Sequence, residues 1–184
     1  MRGLVVRSTG EVVVRGFHKF FNYGELTETK MRNLKGQRIT EVTLRLDGQM
    51  IVGVVLGDEV QFWSRKGHVE GKGLTDVGRS AGRVAWQAGA GCSALVKQVH
   101  SVNATVCFEL QSVGCQSEIK TPSNQRRLRL IITDVRDNKT GVYWQHDRLV
   151  QLGSQFGVSV VERVEHLEAM TMQEVVHEVN AWKG

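Results

Sequence analysis

With 184 residues the chain is long enough for one domain and a little more, and 41% apolar residues supply a real core. A net charge of +5 and a pI near 9.3 lean toward phosphate-bearing partners but stop short of a histone-like tail, and a merely soluble basic protein is the plainer reading. Cys92, Cys107 and Cys115, with no CxxC spacing, exclude a zinc site, and neither a ~18-residue apolar run nor a charged-then-apolar leader occurs, so a cytoplasmic protein without a membrane partner is expected.

Residues 4–7 and 11–15 flank Ser8-Thr9-Gly10, the pattern of a hairpin with a glycine-bearing loop. A strand that begins almost at residue 1 leads us to expect a cut N-terminus. Next comes GFHKFFNYGE, residues 16–25. Phe17, Phe20, Phe21 and Tyr23 read as core aromatics and not as base-stacking surfaces. Lys19, set among them, is expected to aim its head at solvent or at an anion.

Residues 41–67, EVTLRLDGQMIVGVVLGDEVQFWSRKG, form the central stretch. Val42, Leu44 and Leu46 alternate as in a strand running into Asp47-Gly48. A second apolar strand over 50–56, a turn at Gly57-Asp58 and a third strand over 60–63 complete a hairpin. It closes on the basic cluster Arg65-Lys66-Gly67-His68. Alternate strand residues share a face, so a cation, an acid beside a glycine and a basic strand end can line one pocket suited to a nucleotide.

Beyond it, residues 70–91 are rich in glycine and alanine. Arg79 and Arg83, four apart, read as a solvated face on a loop leading to a short helix. Residues 92–100 continue as a helix packed on the sheet. ATVCFEL, residues 104–110, reads as a buried strand carrying Glu109. A carboxylate there needs a partner: ribose hydroxyls, a metal, a lysine or an ordinary structural salt bridge would each serve. A loop with a short basic run follows over 122–129, then an apolar strand over 128–135 and a turn over 137–141 into 142–144. A helix is expected over 146–152 and a strand over 158–164. Thr171 followed by Glu174 is a capping-box pattern, opening a final helix with Val175, Val176 and Val179 on its apolar side. The expected fold class is α+β, with mostly antiparallel sheets and packed helices.

Taken together, these motifs resemble the nucleotidyltransferase (adenylation) domain of ATP-dependent RNA ligases of the phage RNA ligase 1 family. Arg2-Gly3, the first hairpin and GFHKFFNYGE are similar to that family's RG…KFFN(x)GE block. Arg45-Leu46-Asp47-Gly48 stands where the family has its KxDG nucleophile motif, and Ser64–Gly67 (SRKG) resembles the basic strand end after it. Phe108-Glu109-Leu110 is similar to the FE motif, and LIITDVRDNKTGVY to the R(D/E)N(x)TG strand and turn. KFFNYGE and RDNKTG are the more specific of these; LDG and FEL alone are weak. The resemblance implies an ATP-grasp-like domain of the RNA/DNA ligase type, a partial one spanning residues 1–184. It also implies ATP and Mg²⁺ as cofactors, and RNA 5′-phosphate and 3′-hydroxyl ends as substrates. Arg2 and Lys19 would contact the triphosphate, Asp47 and Gly48 would shape the nucleotide pocket, Lys66 would add a phosphate contact, and Glu109 would hold the ribose.

Three departures qualify the match. The nucleophile position holds Arg45, and a guanidinium that stays protonated, with pKa above ~12, does not attack phosphorus. The family's acidic EG strand, which supports the metal, is expected after the last helix. The lysine-bearing strand beyond it is also not in the sequence. A chain truncated at both ends is therefore expected, with a second chain or a further C-terminal segment completing the site. Three readings stand: a ligase-type enzyme or a fragment of one, a catalytically silent nucleotide- or RNA-binding module, and a structural module that kept the fold for its core.

Overall fold

The computed structural model describes residues 4–64, 90–113 and 127–181. In chain order the elements are β1 (Leu4–Val6), β2 (Val12–Arg15), α1 (Met31–Leu34), β3 (Gln49–Leu56), β4 (Glu59–Ser64), α2 (Ala90–Ser101) and β5 (Ala104–Val113). They continue with β6 (Arg127–Asp137), α3 (His146–Phe156), β7 (Ser159–Val160), a 3₁₀ turn (Glu165–Leu167) and α4 (Met172–Ala181). The chain divides into two compact units, one of Met1–His18 with Leu46–Val161 and one of Lys19–Arg45 with Glu162–Gly184.

The first unit is built on a five-stranded sheet in the order β4-β3-β5-β6-β7, antiparallel except for the β6–β7 pair. Alternation along the strands separates its two faces. One face carries Ile51, Phe62, Val106, Phe108, Leu110, Leu130, Ile132 and Val135. It packs against Cys92, Leu95, Val96 and Val99 of α2 and Leu149 and Leu152 of α3. On the other, Val52, Val54 and Cys107 meet Val14 of the β1–β2 hairpin. Both helices follow the sequence expectation, and so do the strands over 50–56, 60–63, 104–110 and 128–135. Burial in this core pushes the Cys92 thiol up to about 11 and the Cys107 thiol higher still, so both are inert thiols.

In the second unit, residues 37–44 run against residues 162–172. The Leu44 amide donates to Glu162 O (2.9 Å), the Val164 amide to Val42 O (2.8 Å) and the Ile39 amide to Met170 O (2.8 Å). Arg163 makes a two-point ion pair with Glu168. The predicted capping box is present: the Thr171 amide donates to the Glu174 carboxylate (2.7 Å) and the Glu174 amide to Thr171 Oγ1 (3.3 Å).

Two strand expectations fail, for one reason. Residues 42–46 do not form a strand ahead of β3. Thr43 makes an isolated bridge to Arg163, and Leu44 is 41% exposed. The expected strand over 158–164 shrinks to Ser159–Val160 beside β6. Each segment is shared between the two units, and local alternation carries no record of where a backbone finds its partner.

Candidate nucleotide site

Asp47-Gly48 is the entry to β3. It is fixed by the register that follows, where Gln49 faces Leu110 and Met50 faces Glu109. The approach is closer than a side chain allows. A Cβ on Gly48 would lie 2.5 Å from the Leu110 carbonyl oxygen and 2.8 Å from Glu109 Cγ. The LDG and FEL motifs, 60 residues apart in the chain, are thus one structural feature in which glycine is required sterically. Glu109 is half-buried and, by alternation with Thr105 and Cys107, lies on the sheet face away from α2. That is the face that carries the hairpin, two residues on from the patch where Val14 covers Cys107.

The RDNKTG turn performs a task that its motif does not announce. Arg136, 7% exposed, donates through Nη1 to Gly16 O (2.7 Å) and through Nε to Gly141 O (2.8 Å), and its guanidinium sits 5.0 Å from the Tyr143 ring. Asn138, buried, donates to Val13 O (3.0 Å) and accepts from the Thr105 hydroxyl (2.7 Å), which itself accepts the Arg15 amide (3.0 Å). Arg15 Nε donates to Asn138 O (2.7 Å). The Tyr143 hydroxyl accepts the His18 amide (3.0 Å) and lies 2.7 Å from His18 Nδ1, while its ring stacks on Phe17. Burial raises the Tyr143 hydroxyl pKa. The Asp137 carboxyl is held below its usual range by the Thr140 amide and hydroxyl. Together these bonds fasten β2 and Gly16-Phe17-His18 to the end of β6. In the sequence Arg136, Asn138 and Tyr143 stand only as family marks. The signal available for their role was a cluster of polar residues at the end of an apolar strand, where buried groups must find partners.

The predicted site residues therefore divide. Asp47, exposed, Gly48 and Glu109 belong to the first unit, and the structure brings Gly48 and Glu109 into contact. Lys19 and Arg45 belong to the second unit, and both are exposed. Lys19 Nζ lies 4.6 Å from the Phe21 ring centroid. Chain connectivity puts Lys19 directly after the fastened His18, and Arg45 two residues before Asp47. Arg2, Lys66, Arg79 and Arg83 lie outside the described residues. The core reading of the aromatics holds for Phe17, which packs beside Val14, and fails for Phe20 and Tyr23, which are 71% and 50% exposed. Among the described residues no group of three or more His, Cys, Asp or Glu is placed to hold a metal ion, and no helix is long and apolar enough to cross a membrane.

A family model described as RNA ligase matches residues 1–184. The chain belongs to the RNA ligase family. Among curated relatives of this RNA ligase chain, a Thermovibrio ammonificans protein named "Putative RNA ligase" is 30% identical over 174 residues. The match takes in 92% of this chain and 43% of that relative, so the chain spans less than half of the relative's length. Among solved structures, an archaeal ATP-dependent RNA ligase (form 1) superimposes with a TM-score of 0.61 at 17% identity, covering 96% of this chain and 43% of that one. A Naegleria gruberi RNA ligase variant with ATP and Mn gives 0.54 at 15% identity, covering 96% and 52%. At these identities the likeness is one of fold, and the fold is the α+β nucleotidyltransferase architecture of RNA ligases.

Proposed function

We propose that this chain is the nucleotidyltransferase domain of an ATP-dependent RNA ligase, one that binds ATP and RNA 5′-phosphate and 3′-hydroxyl ends but does not pass AMP through residue 45. The observation that carries the reading is the seating of Gly48, three residues after Arg45 in the chain, against Glu109, in the order of the family's nucleophile and FE motifs. In this reading Asp47 and Gly48 shape the nucleotide pocket, Glu109 accepts hydrogen bonds from the ribose, and Lys19, Arg2 and Lys66 neutralise phosphates. Mg²⁺, when bound, would screen charge on the phosphates.

Arg45 decides what the domain does with bound ATP. A lysine amine made neutral by a depressed pKa attacks the α-phosphorus and releases pyrophosphate. A guanidinium has no such neutral form near neutral pH, and its nitrogen lone pairs are delocalised. It suits two-point binding of a phosphate instead. This favours a second reading, a non-catalytic nucleotide- or RNA-binding module derived from the ligase fold. Incubation with α-labelled ATP and Mg²⁺, beside a titration of ATP binding, separates the two. ATP binding without an acid-stable protein–AMP adduct is expected. A labelled adduct would refute the argument from Arg45, and failure to bind ATP would remove the nucleotide reading altogether.

A further inference from the structure

We infer that Arg15 and Arg136 form an oxyanion site at the turn over residues 137–141, and that the group it takes is a backbone phosphate of RNA. The inference deepens the proposed function and rests on its RNA substrate. Its starting point is the convergence of two guanidinium groups on Gly141. A Cβ on that residue would lie 3.2 Å from Arg136 Nη2 and 3.2 Å from Arg15 Nη1, so the two nitrogens are at most twice that distance apart. Gly141 stands at φ +76°, and its bare Cα leaves both side chains room to meet.

Both guanidinium groups are fixed, and both keep a donor in reserve. Arg15 Nε donates to Asn138 O (2.7 Å), while Arg136 Nε and Nη1 donate to Gly141 O (2.8 Å) and Gly16 O (2.7 Å). These bonds leave Arg15 Nη1 and Arg136 Nη2 unused. Arg15 is half-buried and Arg136 buried, yet among the described residues no buried side-chain nitrogen lacks a hydrogen-bond partner, so the two spare nitrogens reach water. Donors already held in place by backbone carbonyls lose little freedom when an anion arrives.

The two charges are not neutralised from within. Among the described residues neither arginine makes an ion pair. Asp137 feels the charge of Arg15, but its carboxylate accepts the Thr140 amide (2.6 Å) and hydroxyl (2.9 Å). Asp134, two residues before Arg136, accepts the Val135 amide (2.8 Å). Lys139, exposed in the same turn, adds a further cation. Guanidinium groups at this range repel one another, and an anion bound by both replaces repulsion with attraction. Phosphate, with several oxygens for forked donors, is the anion that arginine fits best. On β5, Thr105 faces Arg136 and Glu109 lies four residues on, about 13 Å away at ~3.3 Å per residue. The turn is thus separate from the ribose contact proposed for Glu109, and a strand of linked phosphates is the ligand that engages it beside a filled nucleotide pocket.

The test pairs thermal unfolding in inorganic phosphate, at an ionic strength held constant with chloride, with fluorescence anisotropy of a short fluorescein-labelled oligoadenylate over a salt series. ATP affinity is measured beside both. Phosphate should raise the Tm of wild type more than that of Arg15→Met. Arg15→Met should weaken oligoadenylate binding about tenfold and lower the salt slope by ~0.7, the value of one phosphate contact on a single strand. Arg15→Gln, neutral but still a donor, should match it, and decides the question if the Met variant does not fold. Arg15→Lys gives up the guanidinium fork but keeps the charge, so it should retain the wild-type slope. ATP affinity should be unchanged throughout. A Lys variant equal to Met in affinity and slope overturns the inference, because Arg15 then acts only by tethering Asn138. Joint loss of RNA and ATP binding overturns it too, since Arg15 then serves the fold. A phosphate effect lost in Arg15→Met with oligoadenylate binding untouched overturns the RNA assignment and leaves a site for free phosphate. A wild-type protein that binds neither RNA nor ATP brings down the proposed function as well.

Discussion

Replacing Arg136 is the sharpest test of how this fold fastens the segment that leads to Lys19. Arg136 spans two backbone carbonyls, Gly16 O at 2.7 Å and Gly141 O at 2.8 Å, and lies 5.0 Å from the Tyr143 ring, all at 7% exposure. A hydrogen bond from a charged donor is worth ~1.5–3 kcal/mol, and a cation–π contact ~0.5–2 kcal/mol. These share one side chain and do not add. Arg136→Met, which keeps the apolar stem, is expected to cost ~3–4 kcal/mol, because two acceptors lose their donor together. For a chain of this size that is a fall in Tm on the order of 10 °C. Arg136→Lys keeps the charge, but one ammonium does not reproduce the planar fork, so it should recover less than half of the loss. Thermal and urea unfolding give the magnitude. Hydrogen exchange gives the place: amides of Val12–Arg15 should lose protection first, since the hairpin is what the tether holds. A loss within the ~0.5 kcal/mol usual for surface substitutions would refute the reasoning, as would a lysine variant equal to wild type.

Gly48→Ala puts a methyl 2.5 Å from a backbone oxygen that has little room to retreat, so a stability loss of ~1–3 kcal/mol is expected. ATP affinity should fall at least about tenfold by calorimetry, and unchanged affinity would separate the Gly48–Glu109 approach from nucleotide binding. Asp137 supplies a pH test. Its folded pKa is depressed by the Thr140 amide and hydroxyl, so its contribution to stability is complete above the usual carboxylate pKa and is lost as pH falls through the folded value. Asp137→Asn should therefore flatten the acid limb of a Tm-against-pH curve below about pH 4, and an unchanged limb would assign it to other carboxylates.

Much of the fold was legible because its signals are local. A Gly-Asp turn between apolar runs gives the β3–β4 hairpin, a threonine three residues before a glutamate gives the α4 cap, and the spacing of RDNKTG after an apolar strand gives the turn after β6. The failures are equally specific. Phe20 and Tyr23 have the composition of a core yet are exposed, and nothing in one sequence says which aromatic in a cluster is buried.

The chain by itself determined the α+β class, the order of most of its strands and helices and the family motifs, since each depends on residue type and spacing along the backbone. Only the tertiary structure decided that residues 42–44 pair with 162–164, that Gly48 sits against Glu109, and that Arg136 holds Gly16. Those contacts join residues tens of positions apart. Packing and hydrogen-bond satisfaction select them, and neither property is written in any local window.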